Sequence, residues 1–487
     1  MGIPVLVSWE ARSYLAAVFV CLCYAVPAAY GVTALNALQT VLQAFLHDCI
    51  LSRFGVDLSP SAMAWVWSLS LTCSSVVSAL STALFSSQLA DSWGRRPALL
   101  VCGPGLVLLW CACFLGAFWL GSAGLLVCGI LLTTAAFSTS HVVAATYLME
   151  SSSPPSRASV VVLVSVLQNL GQIIGALLCR QDALGTESAW WQVYGVLTLP
   201  MEAVLLVGLA LLPESPKWLY LTRQNRDAAV EALKSFHVPD GEMEEVLAMI
   251  RRESVEANRS DTVTISRLVR DRRMIRFVIL TVLVGVASPL SMGGHLLHLY
   301  STAVFESGGL SLVTAQTYTA VIGIFHGAFS IANVVLVRVL DRRPHLIIGI
   351  ALVNGGLLAC CVFGIFQVGW TAHCAAVCLV GAIASGTIIR FLTHFLPSEF
   401  SVLRYRAVAT SLSHTMHDVT NVPMLAAFYP LVQAMGPMGM LPFVAANVLV
   451  NILLLSLLPE TRNQHVDEVF AELVPEVFQE ETTAFLG

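Results

Sequence analysis

The chain has 487 residues, 57% hydrophobic and only 11% charged, with a mean hydropathy of +0.79 and a formal net charge of -5. Soluble domains carry about 25% charged residues, so the composition excludes an ordinary soluble enzyme or binding domain and points to an integral membrane protein. No basic block interleaved with aromatics suggests nucleic-acid binding.

A bilayer-crossing helix needs about 20 apolar residues. Twelve such stretches begin near residues 14, 62, 98, 122, 158, 190, 274, 313, 345, 371, 405 and 437. The first is followed by further spans and not by a small-residue cleavage site, so it reads as a retained helix and not a signal peptide. Between the sixth and seventh lies a charged segment in which "RDAAVEALKSF" and "GEMEEVLAMIRRE" have the period of amphipathic helices. The predicted organisation is an N-terminal six-helix half over 1–212, a helical linker over 213–273, a C-terminal six-helix half over 274–458 and a tail over 459–487.

With both termini cytoplasmic, 22 of the 25 Lys and Arg residues fall on the cytoplasmic side, Arg53 and Arg180 outside, and Arg390 within a span. That side also holds the one sequon, at Asn258, where no glycan is expected. Of the thirteen cysteines, Cys21, Cys23, Cys73, Cys102, Cys111, Cys113, Cys128, Cys360, Cys361 and Cys378 lie in apolar runs and are expected to be small buried hydrophobes. No paired CxxC spacing suggests zinc.

Three charged motifs recur. Arg95-Arg96 returns as Arg342-Arg343, Glu150 with Arg157 as Glu399 with Arg406, and Pro213-Glu214 as Pro459-Glu460, at offsets of 247, 249 and 246 residues. One near-constant period implies two six-helix halves related by a parallel repeat, with substrate bound near the midplane between them. Arginines and glutamates at helix ends on one membrane face are positioned to pair across the halves. Each such semi-exposed pair is worth about 0.2–1 kcal/mol, and several together bias a two-state equilibrium. A plainer alternative leaves them to topology and solubility.

"DSWGRRPALL" from Asp91, "PESPKWL" from Pro213, "DRRP" from Asp341 and "LPETRNQHVDEV" from Leu458 resemble signatures of the sugar-porter branch of the major facilitator superfamily. "NALQTVLQAFL" from Asn36, "WSLS" from Trp67 and "YSTAVFESGG" from Tyr300 are similar to the animal facilitative glucose transporters, of which the chain reads as a divergent member. The resemblance covers nearly the whole chain. It implies the major facilitator fold: an all-α membrane protein with twelve transmembrane helices in two six-helix halves and a cytoplasmic helical linker. It also implies a cytoplasmic gate of Arg95, Arg96, Glu150, Arg157, Glu214, Arg342, Arg343, Glu399, Arg406 and Glu460 that latches the outward-open state. Ser92, Ile130 and Arg338 depart from the family pattern, so at least one latch pair is expected to be rewired.

The pocket residues implied by the resemblance are also altered. "LQNLG" offers Gln168 and Asn169, with Asn169 on the family's glutamine position, and His326 stands where the eighth span usually has asparagine. Anchoring on "YSTAVFE" places Pro289 and Leu290 on the paired glutamines and His295 on a later asparagine. A one-residue shift places Ser288, Pro289 and Gly294 there instead. His298-Leu299-Tyr300 keeps the seventh-span tyrosines only in part. In the tenth span Arg390 enters the hinge and His394 takes a tryptophan position; in the eleventh, His417 and Asp418 replace asparagine and tryptophan, while Asn421 matches. Pro289, Gly293 and Gly294 predict a broken seventh helix.

A charge within a span costs about 2.5–3.5 kcal/mol on insertion scales and points by default to function. Gln168, Asn169, His295, His298, His326, Arg390, His394, His417 and Asp418 are therefore the candidate substrate-binding residues. The alternative is structural: Arg390 and Asp418 neutralise each other and the histidines satisfy local carbonyls. His295 and His298 share a face, but no Cys, Asp or Glu stands at ligand spacing, so no metal is expected. The sugar-porter resemblance implies passive transport, because "AAYGVTALN" lacks the aspartate that proton-driven relatives carry after the first-span tyrosine; His326 and Asp418 remain possible proton sites.

The expected function is facilitative carriage of a hexose-like sugar by alternating access, as a multi-pass protein of the plasma membrane. Its expected partners are a small sugar-like molecule and the lipid bilayer, without nucleic acid. The alternatives are a carrier of another polar or anionic solute, a proton-coupled sugar symporter, and a sugar sensor without flux. No Walker loop, dinucleotide fingerprint or nucleophile–base arrangement suggests a cofactor or an enzyme.

Overall fold

A computed structural model describes residues 9–153, 156–259, 265–291, 295–366, 369–461, 464 and 466–475. The side chains of Arg157, His295, Arg338 and His394, and of some other helical residues, fall outside that description. Backbone polar groups cannot be left unpaired in hydrocarbon, which drives apolar stretches of this length into helices. The membrane helices are α1 (Trp9–Ala37), α2 (Pro60–Ser81), α3 (Arg95–Leu120), α4 (Ala123–Ser151), α5 (Arg157–Leu178) and α6 (Leu199–Ala210). They continue as α7 (Ile275–Leu290), α8 (His295–Ser307), α9 (Leu312–Val339), α10 (Arg342–Phe366), α11 (Gly369–Glu399), α12 (Leu403–Met435) and α13 (Leu441–Leu457).

The described residues contain nine helical stretches long and apolar enough to cross a membrane. One of them, Val408–Leu457, carries two expected spans, α12 and α13, separated by the turn Gly436–Met440. The expected fifth and sixth spans correspond to α5 and α6, and the seventh is carried by two helices, α7 and α8. Gly293 and Gly294 lie outside the described residues, while Pro289 sits in the last turn of α7.

The chain divides into two compact units, Met1–Asn258 and Arg259–Gly487. Helix pairing repeats between them. In the first unit α1 packs on α5, while α2 and α3 pack on α4; in the second α7 packs on α12, while α9 and α10 pack on α11. Burial repeats too. The apolar windows of α1 and α4 are 78% and 56% buried and those of α7 and α11 are 56% and 72%, against 29% for α2 and α9. The same positions of each unit therefore form its interior, and the repeat inferred from charged motifs extends to packing.

Glycines permit the closest of these contacts. A Cβ on Gly171 of α5 would stand 2.3 Å from the Val26 carbonyl oxygen of α1, and one on Gly175 would stand 2.9 Å from that of Tyr30. In the second unit the glycine is on the other partner: a Cβ on Gly285 of α7 would stand 2.3 Å from the Ser413 carbonyl oxygen of α12. Small residues drive helix association in a bilayer through this kind of backbone approach.

The linker helices Arg226–Ser235 and Met243–Arg259 bury Ala229, Leu233, Val246, Leu247 and Ile250 against one another, as their amphipathic period predicts. Trp218 donates its indole N–H to the Asp91 carbonyl at 3.0 Å, fastening the start of the linker to the connection before α3. At the C-terminal end, Phe470 of the helix Val466–Leu473 stacks on Tyr405 and meets Phe277 edge-on.

All thirteen cysteines are free. Cys21, Cys23, Cys102, Cys111, Cys360 and Cys361 are buried as expected, whereas Cys73 and Cys128 are exposed on helix faces. In lipid an exposed position can be as apolar as a buried one, so an apolar run does not specify which way its cysteine points.

Candidate functional site

In the first unit three helices bring polar groups to one imidazole. His141 of α4 is exposed, and its Nδ1 lies 3.4 Å from the Gln168 amide nitrogen of α5. Phe137, one turn earlier, stacks on it, and Tyr24 of α1 approaches edge-on with ring centroids 6.2 Å apart. Asn169 is only 5% exposed, so Gln168 is the amide of this pair with access to a solute. Neutral donors, acceptors and ring faces are what hydroxyl recognition requires.

In the second unit His298 of α8 and His326 of α9 meet edge-to-face, with ring centroids 5.0 Å apart. Arg390 of α11 lies within electrostatic reach of His326. Nearby along the same two helices, Asn333 donates its amide to the Thr387 hydroxyl at 3.0 Å. Tyr300 of α8 stacks parallel on Tyr429 of α12 at 5.4 Å, which ties α8 to α12. His298, His326 and Arg390 are thus brought together.

Other expected members stand apart or cannot be placed. The side chains of His295 and His394 lie outside the described residues. His417 is half-buried in α12, and Asp418 is exposed with His414, one turn earlier, as its electrostatic neighbour. The described residues contain no ion pair between Arg390 and Asp418, the contact that the structural alternative calls for. Asp418 is instead served by its i, i-4 neighbour on its own helix.

The recurring charges build the same constellation twice. Arg95 donates Nε and Nη2 to Glu150 at 2.9 and 3.0 Å, and Arg342 donates Nε and Nη2 to Glu399 at 3.0 and 2.7 Å. A hydroxyl completes each carboxylate: Ser215 on Glu150 at 2.5 Å and Thr461 on Glu399 at 2.6 Å. Glu214 accepts the backbone N–H groups of Arg95 and Arg96 at the start of α3, and Glu460 accepts those of Arg342 and Arg343 at the start of α10. A carboxylate there satisfies orphan N–H groups and meets the positive end of the helix dipole. Pairing across the halves was the expectation, but each of these bonds lies within its own unit.

The chain's likenesses follow this geometry. The family described as sugar (and other) transporter matches residues 17–473. The chain belongs to that family. It is 26% identical over 455 residues to human "solute carrier family 2, facilitated glucose transporter member 9", covering 90% of this chain and 81% of the relative. Member 5 from Pongo abelii is 23% identical over 466 residues, covering 93% and 91%. The inward-open xylose transporter XylE from E. coli superposes with a TM-score of 0.74 at 16% identity, over 94% of this chain and 99% of that one. Membership of the sugar transporter family makes the protein a membrane-embedded carrier of small molecules and not an enzyme.

Two residues escaped the sequence reading. His141 follows "STS" inside an otherwise apolar span, a local polarity that could have marked it. Glu202, in "LPMEAVLL", is fully buried in α6, and neither carboxylate oxygen has a hydrogen-bond partner among the described residues. Cys23 of α1 and Cys111 of α3 are its electrostatic neighbours. The rule that singled out Arg390, an ionisable group within a span, applies equally to Glu202. No group of three His, Cys, Asp or Glu side chains among the described residues is placed to hold a metal ion.

Proposed function

We propose that the protein is a facilitative carrier of a hexose-like sugar, working by alternating access between residues 1–212 and 274–458, with residues 213–273 as a helical linker and 459–487 as a tail. The observation that carries this reading is the pair of matching charged constellations inside a chain whose relatives are named facilitated glucose transporters. Alternating access by rocking requires each half to move as a rigid body, and each Arg–Glu–hydroxyl cluster braces three helix ends of one unit. The ten gate residues then act as a latch at the face where both termini and 22 of the 25 basic residues lie, the cytoplasmic side of the plasma membrane.

His141 and Gln168 supply candidate polar contacts for a solute within the first unit, and His298 and His326 supply them within the second. The first-span sequence Tyr30-Gly31-Val32 carries no acid, which favours passive movement over proton symport. The test is uptake of labelled hexoses by the purified protein in liposomes. Saturable flux that exchanges with unlabelled sugar and survives a proton ionophore is expected. Flux abolished by the ionophore would make it a symporter; binding without flux in correctly inserted protein would make it a sensor.

A further inference from the structure

The carrier reading, on which this inference rests, leaves the charge on Arg390 unaccounted for. Arginine stays protonated in proteins, and the guanidinium here has no carboxylate within ion-pair distance among the described residues. The acidic side chains of the second unit's membrane helices are Glu306, Asp341, Glu399 and Asp418, and all are described. Glu399 is held by Arg342 and Thr461 and stands nine residues along α11 from Arg390, about 13 Å at 1.5 Å per residue. Asp418 has His414 for its neighbour. Glu306 lies in the last turns of α8, and Asp341 precedes α10 at the charged end. In the first unit Glu202 is fully buried among that unit's own helices.

The described neighbours of Arg390 on the adjacent helices are imidazoles. α9 presents His326, and α8 presents His298 against it. α7 contains no acidic residue, and α10 offers the buried His345 near its charged end. α12 offers His414, His417 and Asp418, already placed. Among the described residues Arg390 and the His298–His326 pair therefore come together with no carboxylate in ion-pair distance, in the interior of a membrane helix, where an uncompensated charge is costly.

We propose that the missing counter-charge arrives with the substrate, and that the carried solute is a hexose-sized monoanion bearing a carboxylate. The planar guanidinium offers two parallel N–H donors that match a carboxylate bidentately. His298 and His326 provide hydrogen bonds to the hydroxyls of the same molecule. A phosphate ester, with nearly two negative charges, would need a second fixed cation, and Arg390 is the one Lys or Arg in the interior of these spans. The solute class is thus a sugar acid and not a sugar phosphate.

The test uses the full chain in liposomes with labelled glucuronate and glucose and a potassium–valinomycin potential. Carriage of an anion by a fixed positive site moves net charge, so saturable glucuronate entry should rise with an inside-positive potential and fall when the potential is reversed. Arg390→Gln should lower the glucuronate-to-glucose flux ratio about tenfold, the equivalent of one lost charge-assisted pair, and Arg390→Lys should restore part of it. The ratio cancels differences in the amount of inserted protein. Glucose flux with glucuronate excluded, glucuronate flux indifferent to potential, or an unchanged ratio in Arg390→Gln would overturn the proposal while leaving the carrier reading intact. Flux of neither solute through folded, inserted wild-type protein would overturn both.

Discussion

Glu399 takes two guanidinium N–H groups from Arg342, with Nε at 3.0 Å and Nη2 at 2.7 Å, and the Thr461 hydroxyl at 2.6 Å. Three separate segments of the second unit, the start of α10, the end of α11 and the chain after α13, are joined through this one carboxylate. The pair is only partly exposed and bidentate, which lifts it above the usual surface ion pair. A double-mutant cycle over Arg342→Ala and Glu399→Ala, read by thermal unfolding in detergent, should give a coupling of about 1–2 kcal/mol. The equivalent cycle over Arg95 and Glu150 should match it within a factor of two. Coupling near zero at both sites would reduce the clusters to topology signals.

Gly94 precedes α3 with φ +113, in the region that favours glycine, and a Cβ there would stand 2.3 Å from the Glu214 carboxylate. Gly94→Ala should therefore both strain the backbone and push Glu214 off the N–H groups of Arg95 and Arg96. A loss of about 2–3 kcal/mol is expected, combining a cap with a positive-φ penalty. Glu214→Ala should lose only the capping part. If the two variants unfold at the same temperature, the glycine's conformation contributes nothing.

The sequence made the architecture readable because the bilayer permits so few solutions: long apolar runs become helices, and lysines and arginines mark their ends. The repeat was readable from ten charged positions in three recurring motifs, and the helix pairing follows it. Which charges pair was not readable. Arg342 and Glu399 are 57 residues apart in the chain, and the offsets of 246 to 249 residues are equally compatible with pairing within a half or across two. The pocket was harder still, because facing direction decides it. Gln168 and Asn169 are adjacent and chemically alike, yet Gln168 is half-exposed beside His141 while Asn169 is buried, and a one-residue step along a helix turns the side chain by about 100°.

The α1–α5 contact depends on Gly171, where a Cβ would lie 2.3 Å from the Val26 carbonyl oxygen. The obstacle is backbone, which cannot rotate away as a side chain can. Gly171→Ala should separate the two helices and cost about 1–3 kcal/mol by overpacking, while Gly175→Ala, against a contact of 2.9 Å, should cost less. Because α1 and α5 carry Tyr24 and Gln168, which flank the proposed contact residue His141, the Gly171 variant should also weaken substrate affinity. Thermal unfolding and liposome uptake check the two effects separately. A fully stable Gly171→Ala protein would show that the helices are free to part.

Glu202 gives the opposite expectation, a substitution that stabilises. Its carboxyl is fully buried in α6, beside the thiols of Cys23 and Cys111, and neither oxygen accepts or donates a hydrogen bond among the described residues. A buried polar group without partners costs about 1–3 kcal/mol, and replacing it by an apolar side chain of similar size removes that cost. Glu202→Leu should therefore raise the unfolding temperature in detergent, and Glu202→Gln, which keeps an unsatisfied amide, should change it little. Lower stability in both variants would mean that the carboxyl has a partner among side chains outside the described residues. Preserved stability with lost flux in Glu202→Gln would instead assign Glu202 to the transport cycle, where a lone acid in the sixth span acquires a proton-carrying role that the first-span sequence does not supply.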